Sequence, residues 1–131
     1  MNTLKKTTLR ALEPEDLELL YTIENDSDTG EAVGLIDLTN YSATNRSAEI
    51  GITLLKEHRG KGYGRAAIKA MERYAKEAAN LRMIYAHTLA DRNSVAKNLF
   101  LHSNYIPVAV LPEWHFCNGE YVDLTVFKKN L

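Results

Sequence analysis

Apolar positions along this chain change period several times, and each change marks an element. Thr7-Thr8-Leu9-Arg10-Ala11-Leu12 alternates weakly and predicts a first strand. Glu13-Pro14-Glu15-Asp16 predicts a helix start, with proline in the first turn and acids near the positive end. Leu17, Leu20 and Tyr21 would form that helix's apolar face. Glu24 to Glu31 has no apolar side chain and reads as a loop. Ala32 to Leu38 and Ala48 to Leu55 read as strands, and the polar run Asn40 to Ser47 between them predicts a hairpin. From about Gly64 to Ala79 the small and apolar residues fall at helical spacing, and Asn80 is placed to end the helix. Leu81 to Leu89 reads as a buried strand and Ser94 to His102 as a short helix. Tyr105 to Leu111 reads as a strand with Pro107 suited to an edge. Trp114 to Cys117, Asn118-Gly119 and Tyr121 to Phe127 read as a hairpin with a tight turn. The order predicts one α/β domain, residues 1–131, with a mixed sheet flanked by helices.

Glu57-His58-Arg59-Gly60-Lys61-Gly62-Tyr63-Gly64-Arg65 lies between a strand and a helix start. The first amides of a helix lack intrahelical acceptors and sit at the positive end of its dipole. Glycines let such backbone approach a ligand closely, which makes a phosphate site. Arg59, Lys61 and Arg65 add positive charge. A Walker loop is absent, and the glycines at 60, 62 and 64 have the wrong spacing for a dinucleotide fingerprint.

Composition narrows the classes. The chain has 131 residues, 45% hydrophobic and 25% charged, enough for one core. A net charge of −1 points away from bulk nucleic-acid or membrane binding. One cysteine, Cys117, excludes an internal disulfide and a cysteine metal cluster. No histidine pair has metal-ligand spacing on a helix, so no metal is expected. No apolar run is long enough for a bilayer, and Met1 to Lys6 lacks a signal peptide's apolar core, so a cytoplasmic protein is expected.

Arg59, Gly62 and Gly64 meet the pattern Arg/Gln-x-x-Gly-x-Gly/Ala, which resembles the acetyl-CoA pyrophosphate loop of the GNAT superfamily of N-acetyltransferases. Asn93, Ala96 and Leu99 resemble that family's second CoA motif. Leu9 to Leu17 and Phe116 to Asp123 are similar in texture to the spermidine and ribosomal-protein N-terminal acetyltransferase group. The resemblance implies acetyl-CoA as cosubstrate. It implies binding by the backbone of Ile52, Thr53 and Leu54, by the loop Arg59, Gly60, Lys61, Gly62, Tyr63, Gly64 and Arg65, and by Asn93 and Phe100. It implies direct acetyl transfer to a primary amine: a polyamine, a small amine or a protein N-terminus. Glu49 stands where several members carry a catalytic glutamate. It would act as a base, and the competing readings are a solvated glutamate near a strand end and an ion pair with Arg46. Among the histidines, His58 flanks the loop, and His87 on its buried strand is expected to be a hydrogen-bonded core or cleft residue. His115 and Cys117 lie on the last hairpin. Trp114, Phe116 and Tyr121 would pack that hairpin or line an apolar wall. A homodimer is the family's common arrangement, with the last strands the expected contact.

Two departures stand out. Phe100 occupies the position of a tyrosine thought to protonate the leaving thiolate, and Tyr105 is the first substitute to consider, with Ser103 and Tyr63 also near. Members of the family also have a second helix and another strand before Val33, where this chain has the polar run Glu24–Glu31. Thr29-Gly30-Glu31 therefore looks like a hairpin turn whose first strand is missing. Two other functions compete. A CoA-binding module without activity would bind CoA and acetylate nothing. A phosphate-binding structural domain would not bind CoA.

Overall fold

The computed structural model describes residues 8–15, 18–24, 32–89 and 94–131, with side chains from Ala32 onward except His58 and residues 90–94. Seven strands of the described residues form one sheet: β1 Thr8–Glu15, β2 Glu18–Glu24, β3 Ala32–Ser42, β4 Ser47–Leu54, β5 Met83–Leu89, β6 Ile106–Cys117 and β7 Glu120–Asn130. Among the described residues two α-helices accompany them, α1 Tyr63–Glu77 and α2 Ser94–His102. The order across the sheet is β1-β2-β3-β4-β5-β7-β6. Neighbours are antiparallel except β4 and β5, which are parallel and joined through α1. A parallel pair needs such a crossover, whereas the other neighbours close by hairpin or across the sheet.

The helix expected from Glu13 onward is not formed. β1 runs on through Pro14 and Glu15, and Glu15 pairs with Glu18 of β2, while Asp16 and Leu17 lie outside the described residues. A register shift between Ala11 and Glu13 bends the strand there. Proline is tolerated because β1 is the sheet's outermost strand. Leu20 and Tyr21, expected on a helix face, lie in β2 opposite Asp37 and Ile36. The outer edge of β3 needs a partner, and that demand outweighs a local helix signal. β2 thus stands between β1 and β3, where the apolar pattern predicts no strand.

β3, β4, α1, β5, α2 and β7 lie where the apolar pattern put them. α1 buries Ala67, Ile68, Met71 and Ala75 against Ile36, Ile50, Ile84, Ala86 and Phe127 of the sheet. Each large apolar side chain so buried is worth about 1.5–3 kcal/mol. Asn80 takes a left-handed φ of 56° just past α1, and the Leu81 N–H reaches back to the Ala75 carbonyl at 2.9 Å. Asn118 and Gly119 make the tight turn between β6 and β7 with φ of 49° and 83°. The segments expected as separate strands from Tyr105 and Trp114 are one strand, β6, bent at a register shift between Leu111 and His115. β6 is the other edge of the sheet. Trp114, Phe116 and Tyr121 do not pack a hairpin core: they are 65%, 59% and 64% exposed.

No helix among the described residues is long and apolar enough to cross a membrane.

Candidate active site

β4 and β5 pair only from Ser47–Met83 to Glu49–Tyr85, and then part. Alternation along β4 decides which peptide groups face the gap. The Leu55 N–H donates to the Val33 carbonyl at 2.9 Å, toward β3. Leu54 and Ile52 therefore turn their peptide groups the other way, toward β5 and the gap. The Leu54 carbonyl accepts from Arg59 Nε at 3.3 Å on that side. Thr53, expected to offer its backbone, points its carbonyl at Gly34 of β3 and contributes its side chain to the cleft instead.

Two cavities of about 250 Å³ each follow the gap. One is lined by Ile52, Thr53, Leu54, Arg59, Val95 and Leu99, between the end of β4 and α2. The other includes Asp37, Gly51, His87, Ala96 and Phe100, and so joins the β3–β5 side to the α2 side.

The glycine loop closes one end. Gly60 and Gly62 have φ of 77° and 87°, and Gly62 caps α1. Neither has an atom within 4 Å of where a Cβ would stand, so glycine is required there by backbone angle and not by crowding. Gly64 is different: a Cβ would meet Leu99 Cδ2 at 2.8 Å and Leu54 Cδ1 at 3.1 Å, so it lets α1 approach α2 and β4. The first turn of α1 has no acid, and Lys61 and Arg65 are exposed beside it. Cations at a helix's positive end are unfavourable alone and favourable around an anion. The loop fits a diphosphate, and the strand-edge peptides of Ile52 and Leu54 fit an amide-bearing arm.

At the point where β4 and β5 part, four polar side chains meet. Glu49 Oε1 accepts from Asn40 Nδ2 at 2.9 Å, and Glu49 Oε2 meets His87 Nδ1. Glu49 is therefore joined to His87 and not to Arg46, whose guanidinium bonds Asn80 across the sheet end. Tyr85 stands two residues before His87 on the same face of β5. Burial raises its pKa, Glu49's charge adds to this, and a hydrogen bond with Asn40 opposes it. His87 is not a core residue, since half its side chain is exposed and it lines the cavity. The Tyr85-x-His87 spacing on a strand could have found this pair, whereas Asn40 lies in a run that read as a connection.

Tyr105 lies elsewhere. It is 2% exposed, packed edge-on against Phe100 at 5.0 Å, with its hydroxyl buried beside Glu72. Lys129 Nζ lies 5.6 Å from its ring centre and binds Glu72 and the Ser103 carbonyl, each at 3.0 Å. Tyr105, the expected substitute acid, lines neither of the two cavities. Phe100 lines the cavity and also packs on Phe127 at 6.3 Å. Tyr63 is buried at the start of α1. Asn93 and the His58 side chain lie outside the described residues. Neither His115 nor Cys117 lines the two cavities. Among the described residues no three His, Cys, Asp or Glu side chains gather as a metal set.

A sequence model described as the acetyltransferase (GNAT) family matches residues 3–105. Spermidine N(1)-acetyltransferase of Vibrio cholerae serotype O1 is 35% identical over 92 residues, which are 70% of this chain and 53% of that protein. Ribosomal-protein-serine acetyltransferase of Escherichia coli K12 is 25% identical over 99 residues, 76% of this chain and 55% of that protein. The chain thus spans about half the length of these curated relatives. The crystal structure of the Vibrio cholerae spermidine N-acetyltransferase in complex with CoA and spermine superposes with a TM-score of 0.84 at 25% identity, covering 95% of each chain. The Vibrio cholerae spermidine/spermine N-acetyltransferase has also been crystallised with manganese ions, and that structure superposes with a TM-score of 0.84 at 25% identity over 95% of this chain and 92% of that one. The family match runs through the parting strands, the glycine loop and both helices that border the cleft, and the chain belongs to the acetyltransferase (GNAT) family.

Proposed function

We propose that this chain is an acetyl-CoA-dependent N-acetyltransferase whose acceptor is a primary amine, with polyamines the first class to test. The observation that carries this is the gap between β4 and β5, with its turned-out peptides at Ile52 and Leu54, ending on a cationic glycine loop. Acetyl-CoA would bring an activated acetyl group on a good leaving group. The Ile52 and Leu54 peptides would hold the pantetheine arm by hydrogen bonds and polarise the thioester carbonyl. The loop from Arg59 to Arg65 would take the diphosphate, and Asn93 would join the arm. Glu49, with His87, stands at the parting point as the centre for proton removal. Phe100 cannot protonate the thiolate, and a general acid is worth about two to four decades in rate.

The polyamine reading rests on the relatives' names and on the carboxylates Asp37 and Glu49 around the cavity face. The acids Glu24, Asp26, Asp28 and Glu31, candidates for an acidic cleft, have side chains outside the described residues. Cys117, a free thiol, fits a reducing compartment such as the cytoplasm. The exposed edge strand β6, with Ile106, Val108 and Val110 about half exposed along it, is where a second copy would dock in a homodimer. A related spermidine acetyltransferase forms a dodecamer.

The test is thermal unfolding with and without acetyl-CoA, followed by thiol release with spermidine and simple amines. Ligand at about one hundred times its dissociation constant adds roughly 2.7 kcal/mol of stability. Phe100 in the place of the usual tyrosine favours a second reading, a CoA-binding module without turnover. A thermal shift with no thiol release from any amine would select it. No shift would reject both.

A further inference from the structure

We infer that the proton acceptor in this cleft is His87 Nε2, and that Glu49 is a positioning residue acting through the imidazole. The inference deepens the functional reading above and rests on it. Glu49 is only 14% exposed at its side chain, and each of its oxygens has a protein partner: Oε1 takes Asn40 Nδ2 and Oε2 meets His87 Nδ1. A carboxylate only accepts, so Nδ1 is the nitrogen that carries the proton. In the neutral imidazole the lone pair is then on Nε2. The His87 side chain is 49% exposed and lines the cavity that also holds Gly51, Thr53 and Phe100. A largely covered carboxylate that fixes the tautomer of a half-open imidazole is an arrangement that makes histidine a base.

Other groups face the imidazole from each neighbouring element. On β5, Tyr85 is held neutral by burial and Glu49's charge. On β3, Asp37 borders the same cavity. On β7, Val126 stands opposite His87, and Lys128 opposite Tyr85 on the same face. Ala96 and Phe100 of α2 carry no charge.

The step balances within the cleft. The amine enters neutral, having given one proton to solvent. Its nitrogen bonds the acetyl carbon, the carbon–sulfur bond breaks, and a second amine proton passes to Nε2. From there it passes to the departing sulfur, which leaves the dyad as it began. His87 would thus supply the proton that Phe100 cannot.

The experiment uses acetyl-CoA with whichever of spermidine, spermine or a simple diamine the wild type turns over fastest. His87→Asn keeps a donor near Nδ1 and removes Nε2. We expect kcat/KM to fall about 100-fold or more while the thermal shift with acetyl-CoA is unchanged. His87→Gly should regain turnover with added imidazole. Glu49→Gln should be damaging alone and add nothing in the His87→Asn background, as for residues acting as a unit. Wild-type turnover in His87→Asn overturns the inference. So does a further loss of about 100-fold from Glu49→Gln in that background, which would make Glu49 the direct base. A wild-type chain with no acetyl-CoA shift and no turnover removes the functional reading, and the dyad's role with it.

Discussion

Tyr105 is sealed beside Glu72, and burial, with that charge added, raises its pKa above the ordinary 10.0. An unfolded chain would ionise this tyrosine near its ordinary value while the folded one would not. The stability from Tyr105 is therefore intact below pH 10 and lost as pH rises beyond it. Denaturant titrations of Tyr105→Phe and wild type should diverge only in that alkaline range, the wild type falling more steeply. Gly62 makes a different argument. With φ of 87° and open space beside it, Gly62→Ala should strain the loop by about 1–2 kcal/mol without a clash. Calorimetry should show weaker acetyl-CoA binding by about tenfold, with the fold kept. Gly62→Asp should weaken it more, since it adds like charge next to a diphosphate. The loop glycines were legible in the sequence because their spacing is local. The Glu49–His87 contact was not, because it joins residues on β4 and β5 that meet only through sheet register.

At the scale of elements, β3 and β4 are held closely at one end. A Cβ on Gly34 would run into the Thr53 carbonyl, and backbone cannot swing aside as a side chain can. Gly34→Ala should cost about 3 kcal/mol, at the upper end for single substitutions, read from the urea midpoint. Phe100 joins α2 to the core through Tyr105 and Phe127. Phe100→Ala should cost about 3–5 kcal/mol by the same measurement. The β3–β4 hairpin, α1, β5, α2 and the β6–β7 hairpin could be read from period and turn residues alone. β2 could not. Glu13-Pro14-Glu15-Asp16 carries real helix-start chemistry, and only the unpaired edge of β3, far along the chain, makes a strand the better use of Leu19 to Ile23. Trp114, Phe116 and Tyr121 misled for a related reason. An aromatic hairpin usually has a partner layer, and β6 lies at the sheet's end with its side chains exposed.

At the scale of the molecule, the described residues form a seven-stranded sheet in which β4 and β5 share three residue pairs and then part. That fork has a consequence for the protein's breathing. The amides of Ile52 and Leu54 face the fork and not β3, so in deuterated buffer they should exchange far faster than their neighbour Thr53. A cosubstrate lying in the fork would serve as a temporary strand. Those amides would then slow together, and the two halves of the sheet would open as one cooperative unit instead of two.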